Sequence, residues 1–466
     1  MKEVYFMKTQ LDMFSPLYYS TLGYDEELID YLAFIEDDII RELYPIEIKE
    51  PCGRKAWDTV ILFRMHFLYF TKPEFISFRQ LCKELSKPKH QDYRNFIGLM
   101  DGKVPSHAAL SRFRRVLGID KKLNIIGDVD ENEERQDAEQ TIDGMNRIFI
   151  NQAKGLDGFL NLMLGSLDSR PVFAKVGGFK KECICKTPDN CTCKVRFSDL
   201  DAKVGRQRSK VNGNRYFVGY RKNTVVCPSS QGPMPVGSVI VDAKTSDSTM
   251  LLKSLDYLKA MQIELPFLIA DMGYVDGADK VTALTEHHVV VSTEVKKNMI
   301  RPDVCDEKGR LLCPEGHVAE FLGFDYELQM VNYGGDKERC HSCIRNGICD
   351  KDFTYSFKEE PQFFGPVPQG SNLQEALLKF RKQSELNFAL EANLLDSVFR
   401  HKKLPIRRIK RVEIYLKLAD ICRLIVGMRK HCHERYVPEK RSTILREMAE
   451  KDLYGYIKMK PIKKVA

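Results

Sequence analysis

The chain has 466 residues, 43% hydrophobic and 30% charged, with a formal net charge of +8. It is long enough for two or three cores and ordinary in polarity, which excludes a disordered or fibrous chain. No apolar run reaches the ~18–20 residues of a membrane span, no export pattern opens the chain, and the 14 cysteines suggest reduced thiols or metal ligands in a cytoplasmic protein.

Residues 1–127 read as a helical domain. The segment WDTVILFRMHFLY (57–69) is apolar with Arg64 and His66 embedded, and at that length it suits a buried helix. Shorter helices are predicted over 78–85 and 94–99. Ser106 is placed to cap a helix over 107–117, HAALSRFRRVL. Its apolar residues recur at helical spacing and leave Arg112, Arg114 and Arg115 largely on the other side, as a DNA-contacting face or a merely solvated one. Residues 128–143 hold eight acidic side chains against one arginine. An acidic linker is expected over 128–150.

Beyond it strands (159–168, 215–226, 236–242, 266–271, 288–292) alternate with helices (248–261, 276–287). This order predicts an α/β fold, a mixed sheet flanked by helices. The core would be split between 151–299 and 371–435 by a cysteine-bearing insertion at 300–370. Long helices are predicted over 373–395 and 411–430, followed by a basic tail at 436–466.

Three acids carry the chemistry. Asp168 and Asp271 each close an apolar strand, where a rigid sheet can hold a carboxylate at the rim of a cleft. Asp242 does the same without further claim, because a strand-end aspartate is most often a turn residue. Glu385 and Glu391 share one predicted helix but lie about 600° of rotation apart, so a single site cannot use both. Glu385 is preferred because Arg381, one turn earlier, shares its face and can hold a phosphate. Two aspartates and a glutamate can bind two divalent cations, the apparatus for cutting and joining phosphodiesters.

Taken together these segments resemble the bacterial insertion-sequence transposases of the DDE class, whose catalytic domain is RNase H-like. The likeness runs from about residue 50 to about 430. It rests on Gly53-Arg-Lys-Ala-Trp-Asp through Pro105-Ser-His-Ala-Ala-Leu, Asp168-Ser, Asp199-Leu-Asp-Ala-Lys-Val-Gly with Phe217-Val-Gly-Tyr-Arg, Ala270-Asp-Met-Gly-Tyr, and Arg381-x-x-x-Glu385, in the family's order. The resemblance implies Asp168, Asp271 and Glu385 as ligands of Mg2+ or Mn2+, with Arg381 beside them. It further implies cleavage at terminal repeats, strand transfer, and a dimer or larger assembly on paired DNA ends. Leu378 and Ala392 stand where relatives carry a tyrosine and a lysine, which removes support for a hairpin intermediate. A catalytically inactive relative that only binds DNA as a repressor is the alternative.

Two cysteine clusters remain. Cys183, Cys185, Cys191 and Cys193 form one; Cys313, Cys340, Cys343 and Cys349 form the other, and each is a candidate structural zinc site. Two basic stretches are candidate phosphate tracks: Lys203, Arg206, Arg208 and Arg221 in the first, and Lys402, Lys403, Arg407 and Arg408 in the second. No Walker or GxGxxG loop is present, so no nucleotide cofactor is expected.

Overall fold

The computed structural model describes residues 26–44, 56–99, 102–117, 142–176, 197–209, 213–274, 276–295, 299–335, 340–344, 346, 349, 352–394 and 404–433. Seven helices come first: α1 (Glu26–Leu32), α2 (Asp37–Leu43), α3 (Thr59–Thr71), α4 (Phe78–Leu85), α5 (Gln91–Ile97), α6 (His107–Val116) and α7 (Ile142–Gly155). Their starts follow local chemistry. Asp58 accepts the Val60 N–H at 2.9 Å, Ser77 the Gln80 N–H at 3.1 Å and Ser106 the Ala109 N–H at 3.4 Å, each satisfying an amide the first turn leaves unpaired.

The main sheet contains β1 (Leu164–Phe173), β2 (Lys203–Ser209), β3 (Gly213–Cys227), β4 (Met234–Asp242), β5 (Phe267–Ala270) and β6 (Val290–Ser292). Strand β1 runs antiparallel to β3 and parallel to β5, and β5 runs parallel to β6. β3 also pairs with β4 over residues 220–227 and with β2 over 213–219. Helices α8 (Met250–Ala260) and α9 (Gly277–His287) connect β4 to β5 and β5 to β6. This mixed sheet with its flanking helices is RNase H-like.

Side-chain alternation assigns the two faces. Gly165, Val225 and Gly237 share one face, where α8 packs so closely that a Cβ on Gly237 would lie 2.9 Å from Leu258. Ser166, Asp168, Thr224 and Ser238 share the other. There lie α11 (Lys382–Leu394), which follows α10 (Asn372–Phe380), and α12 (Ile409–His433). Ser166 meets Ser384 of α11 at 2.7 Å, and Ser238 donates to Asp420 of α12 at 2.7 Å.

Several expectations need correcting. The strand predicted to end at Asp168 continues to Phe173, because its antiparallel partner β3 extends past the point where β5 stops. Residues 142–150, assigned to the linker, are helical, and Ile142, Met145, Phe149 and Ile150 of α7 are buried. The helix predicted over 373–395 breaks at Arg381 into α10 and α11. There the Arg381 N–H reaches Leu378 O and the Ser384 N–H reaches Arg381 O, tight i→i+3 contacts in place of the α-helical pattern.

The boundary drawn at residue 127 does not divide the core either. One hydrophobic cluster runs from Leu28 and Phe63 through Phe149 to Leu167, Ile240 and Met428. Its hub is α12, buried almost continuously from Val412 to Met428. Phe70 of α3 meets the Tyr415 ring edge-on at 5.0 Å, and the Tyr69 and Tyr415 hydroxyls share a 3.0 Å hydrogen bond. A second cluster joins Leu164, Phe267 and Ile269 of the sheet to Leu377 and Phe380 of α10. To these it adds Phe324, Tyr333 and Phe357 of the 300–370 segment, which contains the antiparallel sheet β7 (Glu320–Asp325), β8 (Met330–Gly334) and β9 (Asp352–Ser356).

Candidate active site

Asp168 and Asp271 meet because their strands are parallel neighbours. The last paired residues of that ladder are Leu167 and Ala270, so each aspartate is the next residue along its strand. Both point to the face that carries α11. Backbone amides orient them: the Ser169 N–H donates to Asp168 Oδ1 at 2.7 Å, and the Met272 N–H to Asp271 Oδ1 at 3.0 Å. Burial pushes the Asp168 carboxyl up to about 6, and the negative charge of Asp271 adds to this against the pull of the Ser169 amide and Arg381. Neighbouring carboxylates of this kind, one largely buried and one half-exposed, can serve as donors to a divalent cation.

The break between α10 and α11 presents Arg381 to this pair, and its Nη1 donates to Asp271 Oδ1 at 2.6 Å. Glu385 lies one turn further along, exposed on the stripe that runs from Arg381 to Phe388, whose carbonyl accepts from Arg170 at 3.5 Å. Among the described residues no group of three or more His, Cys, Asp or Glu side chains is close enough to hold a metal ion. Asp168, Asp271 and Glu385 thus form no closed triad among the described residues. Glu391, the glutamate set aside, is buried between Lys222 at 2.6 Å and Arg170 at 3.1 Å.

Neighbours that the sequence did not single out frame the site. Tyr274 is buried and donates to Asn223 at 2.9 Å, while its N–H closes a turn onto Asp271 O at 3.0 Å, so the Asp-Met-Gly-Tyr run is pinned to β3. Asp247, ion-paired to Arg221 at 3.3 Å, adds a further negative charge that raises Asp168. Only its place after β4 brings it there.

The remaining predicted residues are scattered. Arg112 and Arg115 are exposed on α6. Arg114 instead turns inward: it donates to His66 Nε2 at 2.9 Å and lies 4.4 Å from the centre of the Phe78 ring. Burial lowers its guanidinium to about 10 and drives His66 far below its usual range, so His66 is neutral, donating from Nδ1 to Leu62 O at 2.7 Å. Arg114 stands four residues after buried Leu110, hence on the inner face.

Lys203 and Arg206 are exposed on β2, and Arg407 is exposed before α12. Arg208 lies on β2. Arg221 is engaged with Asp247, Ala243 O and Arg206 O, and Arg408 with Asp201 at 3.0 Å. The Asp199-Leu-Asp motif anchors the start of α12 through the Arg408 and Ile409 amides, at 3.1 and 3.0 Å.

Cys313 heads a turn closed by the Gly316 N–H at 2.8 Å, and Cys340, Cys343 and Cys349 are half-buried thiols. Because no group of three forms among the described residues, the expected zinc cluster is not assembled there. Cys183, Cys185, Cys191, Cys193, Lys402 and Lys403 lie outside the described residues.

Two families match the chain: "Transposase domain (DUF772)" over residues 22–116 and "Transposase DDE domain" over residues 192–313. They occur in the order that the helical and α/β segments require. The chain carries a DDE transposase domain. The matched DDE range includes Asp271 and Asp247 and stops short of Asp168 and Glu385. No curated protein compared with the transposase matches it.

Among solved structures it is similar to a piggyBac transposase synaptic complex with hairpin DNA, at 11% identity and a TM-score of 0.34, covering 95% of this chain and 80% of that one. A Mos1 mariner paired end complex with Mn is similar at 12% identity and a TM-score of 0.15, covering 59% and 75%. At such scores neither likeness bears on the site. No described helix is long and apolar enough to cross a membrane.

Proposed function

We propose that this transposase binds the terminal repeats of a bacterial insertion sequence and catalyses metal-dependent strand cleavage and strand transfer at Asp168, Asp271 and Glu385. The observation that carries the proposal is the aspartate pair at the end of the parallel β1–β5 ladder, with one carboxyl raised to about 6 by burial and by its neighbour. A cation bound between the two carboxylates would add to the partial compensation that Arg381 gives Asp271.

Mg2+ or Mn2+ bound by Asp168 and Asp271, with Glu385 completing the set, would lower the pKa of an attacking water and stabilise a leaving 3′ oxygen. The protein's own contribution is positional. The Ser169 and Met272 amides fix the carboxylates. Arg381 balances Asp271 before the cation arrives and then lies beside the phosphate. Arg112, Arg115, Lys203 and Arg407 are the exposed cations proposed to track DNA phosphates. Two ends cut in concert call for a dimer or larger assembly.

Asp271→Ala is expected to keep end-DNA binding in a gel-shift assay and to lose Mg2+-dependent nicking. Nicking by this variant at the wild-type rate would remove the proposal. Binding without any cutting by the wild type would favour a repressor.

A further inference from the structure

β3 is 15 residues long, and only its second half is enclosed between β1 and β4. Its first half forms a two-stranded ribbon with β2, in which Val204 faces Val218 and Arg206 faces Tyr216. Around Gly205 and Phe217 buried and exposed positions alternate. Gly205 and Phe217 are buried on the inner face, where Phe217 meets Phe173 at 5.5 Å. Gly205 lies so close to the chain after β4 that a Cβ would stand 2.6 Å from Ala243 O. The Arg221 guanidinium donates to Arg206 O at 2.7 Å and ties the ribbon to the sheet. The ribbon is thus held rigidly from behind.

Its outer face departs from the ordinary. The solvent side of an antiparallel pair is usually polar. Here Tyr216 is 73% exposed and Val204 49%, with Arg206 directly opposite the tyrosine, while Lys203, also exposed, belongs to the other face. Exposed aromatic and aliphatic surface beside cations marks a contact surface, and the charge points to a polyanion. A two-stranded ribbon also has the cross-section that the major groove of B-DNA admits.

The register measures the reach of this face. Thr224 pairs with Asp168, and Tyr216 is eight residues from Thr224 along β3. At ~3.3 Å per residue that is roughly 26 Å, or about eight base pairs at 3.4 Å each. We propose that the outward face of the β2–β3 ribbon enters the major groove of the element's end, about eight base pairs from the cleaved bond, with Arg206 on a base edge and Tyr216 and Val204 against the groove wall. This rests on the transposase reading above and adds to it a sequence-reading element outside the catalytic carboxylates and the helical segment.

The test uses the full chain, with labelled duplexes carrying the element's end or a scrambled sequence, titrated at several salt concentrations. Tyr216→Ala and Arg206→Ala are each expected to weaken binding to the end duplex roughly tenfold and the scrambled duplex much less. Arg206→Ala should change which guanines, when methylated at N7, block binding about eight base pairs from the nick. Thermal melts matching the wild type would confirm that both variants fold, as expected for exposed positions. Unchanged affinity and an unchanged interference pattern in both variants would overturn the proposal. So would a shift in oligomeric state without a change in DNA binding, which would make the ribbon a protein interface. A wild-type chain that binds end DNA while these variants bind equally well refutes only the ribbon; a wild type that binds no DNA refutes the transposase reading too.

Discussion

Asp168 sits where burial and the Asp271 charge both oppose its ionisation, which raises its carboxyl from the usual range near 4 to about 6. The native state therefore holds this proton more tightly than the unfolded chain does. Ionisation then costs stability, with the penalty absent below pH ~4 and complete above pH ~6. Asp168→Asn should accordingly stabilise the metal-free protein by about 1–3 kcal/mol at pH 8 and by almost nothing at pH 4, read from urea melts at the two values. Mn2+ should raise the wild-type melting temperature at pH 8 but not that of Asp168→Asn, because the ion binds the folded pair. Arg114 has a different role. Arg114→Ala should lose about 2 kcal/mol of stability with its contacts to His66 and Phe78, whereas Arg112→Ala and Arg115→Ala, at exposed positions, should be nearly neutral.

Helix α11 shows why hydrophobic periodicity located the helix but not its packing. The face it buries is polar: Ser384, Asn387 and Glu391 fall at i, i+3 and i+7. Ser384 bonds Ser166 at 2.7 Å, Asn387 bonds Arg423, and Glu391 takes Lys222 at 2.6 Å. Lys222 also holds Asp420 of α12 at 2.6 Å, so one buried ammonium fastens both helices to β3. Burial raises both acids, but Lys222 and Arg170 outweigh it at Glu391, whereas Asp420 stays raised and is the acid that keeps a proton more readily. Lys222→Met leaves Asp420 without its cation and Glu391 with Arg170 alone, and should cost about 3–5 kcal/mol in chemical denaturation, against about 1 kcal/mol for Ser384→Ala. The kink at Arg381 was equally hidden, since no proline or glycine marks it; packing on two different parts of the sheet imposes it.

At the scale of the molecule, α12 carries the architecture. It is buried between the N-terminal helices and the sheet, so its sequence has no polar stripe to announce a single face. The charged residues in its middle, Lys417, Asp420 and Arg423, are buried and partnered, as Lys417 is with Asp143 at 2.6 Å and Glu413 at 2.7 Å. A fragment beginning at residue 142 would expose Tyr415 and the apolar surface around it. It is expected to aggregate or melt without a cooperative transition, as read by circular dichroism. A sharp transition at the full-length temperature would show that the helical segment is dispensable for the core.

The alternation of apolar segments by itself determined the α/β class and the positions of most strands and helices, because burial of one face prints its period on the chain. The same pattern placed Asp168 and Asp271 at the ends of apolar runs, and helix geometry preferred Glu385 to Glu391. Tertiary structure alone decided the rest. That the two aspartates are neighbours follows from the parallel β1–β5 pairing, that Arg381 reaches Asp271 follows from the break before α11, and that Arg114 faces inward follows from packing against α3. The approach of Asp247 and the fastening of α11 by Lys222 join residues far apart in the chain. Contacts of that kind depend on which surfaces meet, and local spacing does not encode them.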